Sequence, residues 1–164
     1  MLEVQTTDVL WYVDHVLDAM AAILARLGDR LANERPDLPG ANSPFAIVTH
    51  CLGVMEFWAG AMIADRPIVR DRDAEFTATG AVDDLVARVA LARCRFATDL
   101  DLLEPLAPPR RPAAPRDAGL PLATTQGGVI VHVLEELFQH LGQLELTRDV
   151  LSAAGPLPPA AQTQ

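Results

Sequence analysis

Residues 130–151 read IVHVLEELFQHLGQLELTRDVL, and the spacing of their apolar side chains predicts a long amphipathic helix. Apolar residues that recur at intervals of three or four share one face of a helix. Here these residues are Ile130, Leu134, Leu137, Leu141, Leu144 and Leu151. We expect the helix to extend over about residues 124–154, because Gly155 and Pro156 then stop it.

Three earlier segments show the same helical periodicity. The first covers about residues 6–31, with leucines, valine and methionine at spacings of three and four. The second covers about residues 43–64 and begins with Ser43 as an N-cap, followed by Pro44 at the first helical position. It is apolar almost all round, which predicts deep burial. The third covers about residues 81–103.

The segments between these helices are polar or rich in proline. Residues 33–42 are expected to form a loop, and residues 66–79 a charged connection. Residues 104–121, EPLAPPRRPAAPRDAGLP, carry six of the 13 prolines and predict an extended crossover without helix. The pattern indicates an all-α fold, a four-helix bundle over residues 1–155, with this crossover between the third and fourth helices. Residues 156–164 are expected to form a frayed tail.

The composition of the chain argues against several kinds of binding partner and cellular location. The 164 residues carry a formal net charge of -9, which disfavours binding to nucleic acid and to anionic membranes. Two cysteines without a CxxC pair are typical of a reducing compartment, and both are expected to be packing thiols. The first residues lack the pattern of a signal peptide, and no apolar run is long enough to span a membrane, so we expect neither a signal peptide nor a membrane span. We therefore expect a soluble, cytoplasmic protein.

Three side chains from two helices could meet inside the bundle. His132, Glu136 and His140 are spaced four residues apart, and the row drifts by about 40° per step, so Glu136 and His140 point closest to the interior. His50 shares the face of an apolar helix, where an unpaired imidazole is costly. A divalent ion bound by His50, Glu136 and His140 would give each of these three side chains an interaction partner. Two imidazoles and a carboxylate form a common catalytic zinc set, and nickel, iron or manganese would also accept them. From spacing alone, ordinary hydrogen-bonded pairs remain the alternative.

Two of these helices resemble a known family. SPFAIVTHCLGVMEFWAG, residues 43–60, and HVLEELFQHLGQLELTRD, residues 132–149, are similar to the second and last helices of DinB/YfiT-like metalloproteins. RDRDAEFTATGAVDDL, residues 70–85, also resembles the middle of such proteins. Most members place a histidine where this chain has Glu136, and the His-Glu-His set is that of the mycothiol-dependent maleylpyruvate isomerases in this superfamily. The resemblance therefore implies that His50, Glu136 and His140 are metal ligands.

Other polar residues near these positions have two interpretations each. His132 is either a pocket residue beside the ligands or a solvated side chain. Gln143 either orients His140 or a metal-bound water, or is an amide at the helix edge. His15 is expected to be structural.

The resemblance also implies a chemistry, because the relatives are S-transferases or isomerases that use a low-molecular-weight thiol. We predict a metal-dependent thiol S-transferase, with zinc as the expected ion, whose bound thiolate attacks a small electrophile. The Glu-containing ligand set suggests mycothiol as the thiol. A metal-assisted hydrolase on the same site is one alternative, and a non-catalytic bundle that binds a ligand or partner is another. Relatives pair through helix faces, which implies a homodimer.

Overall fold

The computed structural model describes residues 4–153, and within them it contains helices and no strand. The α-helices are α1 (Thr6–Ala32), α2 (Pro44–Met55), α3 (Arg72–Thr77), α4 (Val82–Leu100), α5 (Pro121–Thr124) and α6 (Gln126–Ala153). A π-helical segment, Glu56–Ala61, continues α2 directly, and a 3-10 turn covers Pro115–Asp117. The predicted all-α class is confirmed. The predicted tail, residues 156–164, lies outside the described residues.

The four long helices pack around one apolar core. α1 contacts α2, α4 and α6, while α2 contacts α4 and α6 as well. Residues 44–52 of α2 are all buried, as the apolar character of this helix predicts. Ser43 caps the helix by accepting a hydrogen bond from the Ala46 N–H at 3.2 Å. His50 is therefore fixed inside the core by a well-defined helix.

The sequence patterns did not predict helix α3. α3 lies in the segment that was expected to be a charged connection, and it packs on α2. The Asp71 side chain caps it by accepting the Ala74 N–H at 3.0 Å. Its six residues make fewer than two turns, too few to produce a recognisable period.

A π-helical segment follows α2 where a regular helix was predicted. A methyl group at Gly60 would overlap the guanidinium of Arg66, so a larger residue there would require that side chain to move. Arg66 in turn donates to Asp99 at 2.9 and 2.8 Å and to Glu56 at 2.9 Å. The wider turn changes the direction of the side chains that follow, and Trp58 is buried in this segment.

The crossover is also more structured than predicted, because Pro115–Asp117 forms a 3-10 turn and α5 begins at Pro121. The start of the last helix is confirmed to within two residues, since Thr125 is extended and α6 begins at Gln126. No helix among the described residues has the length and apolar character needed to span a bilayer.

Candidate metal centre

His50 is almost completely buried and is held by an acidic residue from α3. Its Nδ1 lies 2.8 Å from Glu75 Oε2, and Arg70 holds the same carboxylate with Nε and Nη2 at 2.7 and 2.8 Å. Because an ionised carboxylate only accepts hydrogen bonds, Nδ1 donates its proton to Glu75. Nε2 lies on the opposite side of the ring and offers its lone pair to a metal ion when the ring is neutral.

Nε2 of His50 points at two residues of α6 that are one turn apart. Glu136 Oε2 lies 3.4 Å from His50 Nε2 and 3.3 Å from His140 Nε2. One ligand atom from each of these three side chains lies within 4.8 Å of the others. Gln143 Oε1, 2.8 Å from His140 Nδ1, accepts the Nδ1 proton, so Nε2 of His140 also faces Glu136. The structure thus brings together the three residues predicted as ligands.

This donor set fits a divalent ion. Bonds of about 2.0–2.1 Å that meet at a tetrahedral angle separate two donor atoms by about 3.3 Å. The two nitrogen–oxygen separations in the cluster, 3.4 and 3.3 Å, match that value. The side chains of His50, His140 and Glu136 are 2%, 12% and 24% exposed, so the cluster is closed on the α2 side and reachable from the α6 side. Three protein donors around a four-coordinate ion would leave its fourth position to a further ligand.

The electrostatics favour an ionised carboxylate between two imidazoles. Hydrogen bonds with His140 and then His50 lower the pKa of Glu136 far below its usual range, against the opposing effect of burial. Burial lowers the pKa of His50, but its hydrogen bonds to Glu136 and Glu75 outweigh burial, so the net pKa is raised. Without a metal ion, the two carboxylates therefore favour a proton on His50. A divalent cation would replace that proton.

Comparison with known proteins identifies the family. The sequence profile described as mycothiol S-transferase matches residues 8–153, which include all three residues of the cluster. This chain belongs to the mycothiol S-transferase family. Among proteins of curated function, none matches the sequence significantly.

The fold also has a counterpart among solved structures. The crystal structure of a conserved protein from Enterococcus faecalis superposes with a TM-score of 0.71 and is 16% identical. The match covers 92% of this chain and 99% of the other. At this identity the likeness concerns the fold alone. The predicted DinB/YfiT-like membership is confirmed at the level of the family, whereas the closer correspondence to the maleylpyruvate isomerase ligand set stays a prediction.

In this mycothiol S-transferase family member, His132 lies beside the cluster and outside it. Its Nε2 is 3.7 Å from the other oxygen of Glu136, and its Nδ1 is 3.1 Å from Glu135 Oε2. The ring meets Trp58 edge to face, with 4.9 Å between centroids. Both candidate supporting residues, His132 and Gln143, thus touch a residue of the cluster.

The remaining histidine and the cysteines lie elsewhere. His15 is exposed and stacks on Trp11 with 5.4 Å between ring centroids. Cys51 is buried, and burial raises the pKa of its thiol far above the usual range, which agrees with a packing role. The same expectation for Cys94 was wrong, because this residue is exposed on the polar side of α4.

Sequence reasoning missed two residues of this site. Glu75 and Arg70 fix His50 from the connection between α2 and α4, where the sequence RDRDAEF shows only alternating charges. The one available signal was the buried histidine itself, because a histidine that binds a metal through one nitrogen commonly donates the other N–H to a carboxylate.

Proposed function

We propose that this protein is a metal-dependent thiol S-transferase in which His50, Glu136 and His140 hold one zinc ion. The proposal rests on the convergence of two imidazole Nε2 atoms on one ionised carboxylate at 3.3–3.4 Å. The family match supports a small thiol, and mycothiol is the one we propose. Nickel, iron or manganese in place of zinc would be compatible with the same donors.

Each residue of the site has a separate task in this proposal. A bound divalent ion supplies positive charge that lowers the pKa of a thiol and favours its thiolate. Glu136 compensates part of that charge, while Glu75 and Gln143 keep both histidines in the tautomer whose Nε2 faces the ion. The thiol releases its proton to solvent, and its sulfur attacks the electrophilic carbon. A carbon–sulfur bond forms as the leaving group departs with its electron pair.

A neighbouring cavity offers space for the electrophile. Its volume is about 220 Å³, and it lies between the π-helical segment, the start of α3 and the crossover. Trp58 and Arg70 line it, and these two residues also touch His132 and His50. We propose that a small electrophile with an apolar part enters here.

We also propose that the protein is a cytoplasmic homodimer. Each subunit would be a four-helix bundle over residues 1–155, with the proline-rich segment crossing between α4 and α6. Gel filtration with light scattering tests this, and a dimer should have twice the mass of the chain.

Metal analysis of purified variants tests the site. We expect about one zinc per wild-type chain, and loss of stoichiometric metal in His50→Ala and in His140→Ala. His15→Ala is the matched control, because it removes an exposed imidazole outside the cluster and should keep the metal. Full metal content in both site variants would contradict the proposed ligands.

Activity measurements test the chemistry separately. The wild-type protein with mycothiol and monochlorobimane should form the thioether faster than the uncatalysed reaction, and removal of zinc by a chelator should abolish the difference. Turnover of an ester or amide without any thiol would instead favour the hydrolase. A protein with metal but neither activity would favour a ligand-binding bundle.

A further inference from the structure

Helix α6 carries large apolar side chains on its outer side as well as on its buried side. Val131, Phe138 and Leu146 are 65%, 40% and 70% exposed. They lie on one side of the helix, because intervals of seven and eight residues are close to two helical turns. The outer side of a surface helix is normally polar. The outer side of α6 therefore has the composition of a surface that a partner covers.

Two aromatic side chains of α1 extend this apolar surface. Trp11 and Tyr12 are 61% and 50% exposed, and their rings meet edge to face with 5.1 Å between centroids. The Tyr12 ring lies 6.1 Å from the Phe138 ring, so the surface is continuous from α1 to α6. We call these five residues, Trp11, Tyr12, Val131, Phe138 and Leu146, the α1/α6 face.

The α1/α6 face has the residue types of a protein–protein interface. Within residues 4–153, every tryptophan, tyrosine and phenylalanine side chain that is exposed belongs to it. Aromatic residues are enriched in the cores of interfaces and among the residues that contribute most to binding. The outer side of α4 differs, because it exposes Asp83, Asp84, Arg88 and Arg95, and Leu91 is the one large apolar side chain exposed on that helix.

The size of the α1/α6 face fits a dimer of ordinary dimensions. From their exposed fractions, its five side chains present roughly 500 Å² of apolar surface. A stable interface buries about 800 Å² on each partner, and about 65% of this area is apolar in homodimers, which is also about 500 Å². A second copy of the chain presents the same apolar area, so each face can cover the other around a two-fold axis.

We propose that the α1/α6 face is the interface between two copies of this chain, related by a two-fold axis. This inference rests on the homodimer of the proposed function and assigns it a surface. It does not involve the metal ligands, because Phe138 precedes His140 by two residues and points about 160° away from it around the helix. The metal ligands of α6 therefore lie on the other side of the helix from the interface.

Sedimentation velocity at a series of protein concentrations tests the interface. We expect a dimer with a dissociation constant of about 10 μM or below. Phe138→Glu and Leu146→Glu each place two charges in the interface, one from each copy, and should weaken the dimer by at least about tenfold. Leu91→Glu is the matched control, because it makes the same change at an exposed position of α4 and should leave the dissociation constant unchanged. All three variants should keep the zinc content of the wild type.

Quenching of tryptophan fluorescence by acrylamide tests the same surface without any substitution. Trp58 is 8% exposed, so the quencher reaches mainly Trp11. Trp11 should be shielded at concentrations where the dimer prevails and should become accessible on dilution. Shielding that persists in a monomer would mean that another part of the chain, such as residues 154–164, covers this face, and the inference would then be wrong.

The possible failures are distinguishable. A wild-type protein that is monomeric at all concentrations would overturn this inference together with the proposed homodimer. A dimer that Phe138→Glu and Leu146→Glu leave as stable as Leu91→Glu does would overturn the assignment of the face alone. If a glutamate variant fails to fold, the quenching of the wild-type protein still decides. None of these results bears on the thiol chemistry, which the metal analysis and the activity measurements test separately.

Discussion

Removal of the Glu75 carboxylate should weaken zinc binding although Glu75 is not one of the proposed ligands. This carboxylate accepts the Nδ1 proton of His50 at 2.8 Å, and it is 8% exposed, so water cannot easily replace it. Without it, the His50 ring loses the contact that selects its tautomer and orientation. The lone pair of Nε2 would then face Glu136 for only part of the time.

The structure allows the size of the effect to be estimated. Loss of a carboxylate that orients a metal-binding histidine costs about 10- to 100-fold in metal affinity, which is about 1.4–2.7 kcal/mol. The Arg70 side chain, 15% exposed, would also lose its ion pair, so Glu75→Ala should destabilise the fold by roughly 3 kcal/mol. Glu75→Gln keeps an oxygen acceptor for Nδ1, so we expect it to lose less zinc affinity and less stability than Glu75→Ala.

Competition with a chelating indicator measures zinc affinity, and urea unfolding of the metal-free proteins measures stability. Asp73→Asn is the matched control, because it removes one negative charge from an exposed position of the same helix. It should leave both quantities unchanged. A folded Glu75→Ala protein that binds zinc as tightly as the wild type would refute the reasoning.

Three further predictions follow from individual contacts. Gln143→Ala removes the acceptor 2.8 Å from His140 Nδ1 and should weaken zinc binding roughly tenfold in the same competition assay, without lowering the stability of the metal-free protein. Gly128→Ala would push a methyl group into a backbone carbonyl of α5 and should lower the free energy of unfolding by about 1–3 kcal/mol. Gly142→Ala, in the same helix with open space around it, should raise the free energy of unfolding by about 1 kcal/mol. Urea unfolding measures both changes. Burial lowers the pKa of His50, and its two carboxylate partners raise it by more. In the metal-free protein, the stabilising contribution of His50 is therefore complete below pH 6.5 and is lost as the pH rises through the raised pKa. Urea unfolding between about pH 5 and pH 9 should show this decline, and a flat profile would contradict it.

The long helices could be predicted from sequence because each repeats its apolar spacing over several turns. The N-cap at Ser43 located the start of α2, and α6 begins within two residues of the expected position 124. The prediction that His50 pairs with residues of α6 depended on the helical faces together with the family resemblance. The ion pair of Arg70 with Glu75 could not be predicted, because only the packing of α3 on α2 brings these charges to a buried ring.

The same packing explains why the fold and the proposed chemistry are coupled. The Nε2 atoms of His50 and His140 each lie 3.3–3.4 Å from the Glu136 carboxylate in a partly buried place, where the negative charge favours a positive charge beside it. In the metal-free protein a proton on His50 supplies that charge favourably: burial lowers the pKa of His50, but its hydrogen bonds to Glu136 and Glu75 raise it by more. Zinc would have to displace this proton, so its binding should release protons and should become tighter as the pH rises. Because the ion would bind the folded chain and join two helices, its affinity adds directly to the free energy of unfolding. The residues that tune the thiol chemistry would therefore also determine how firmly α2 and α6 are held together.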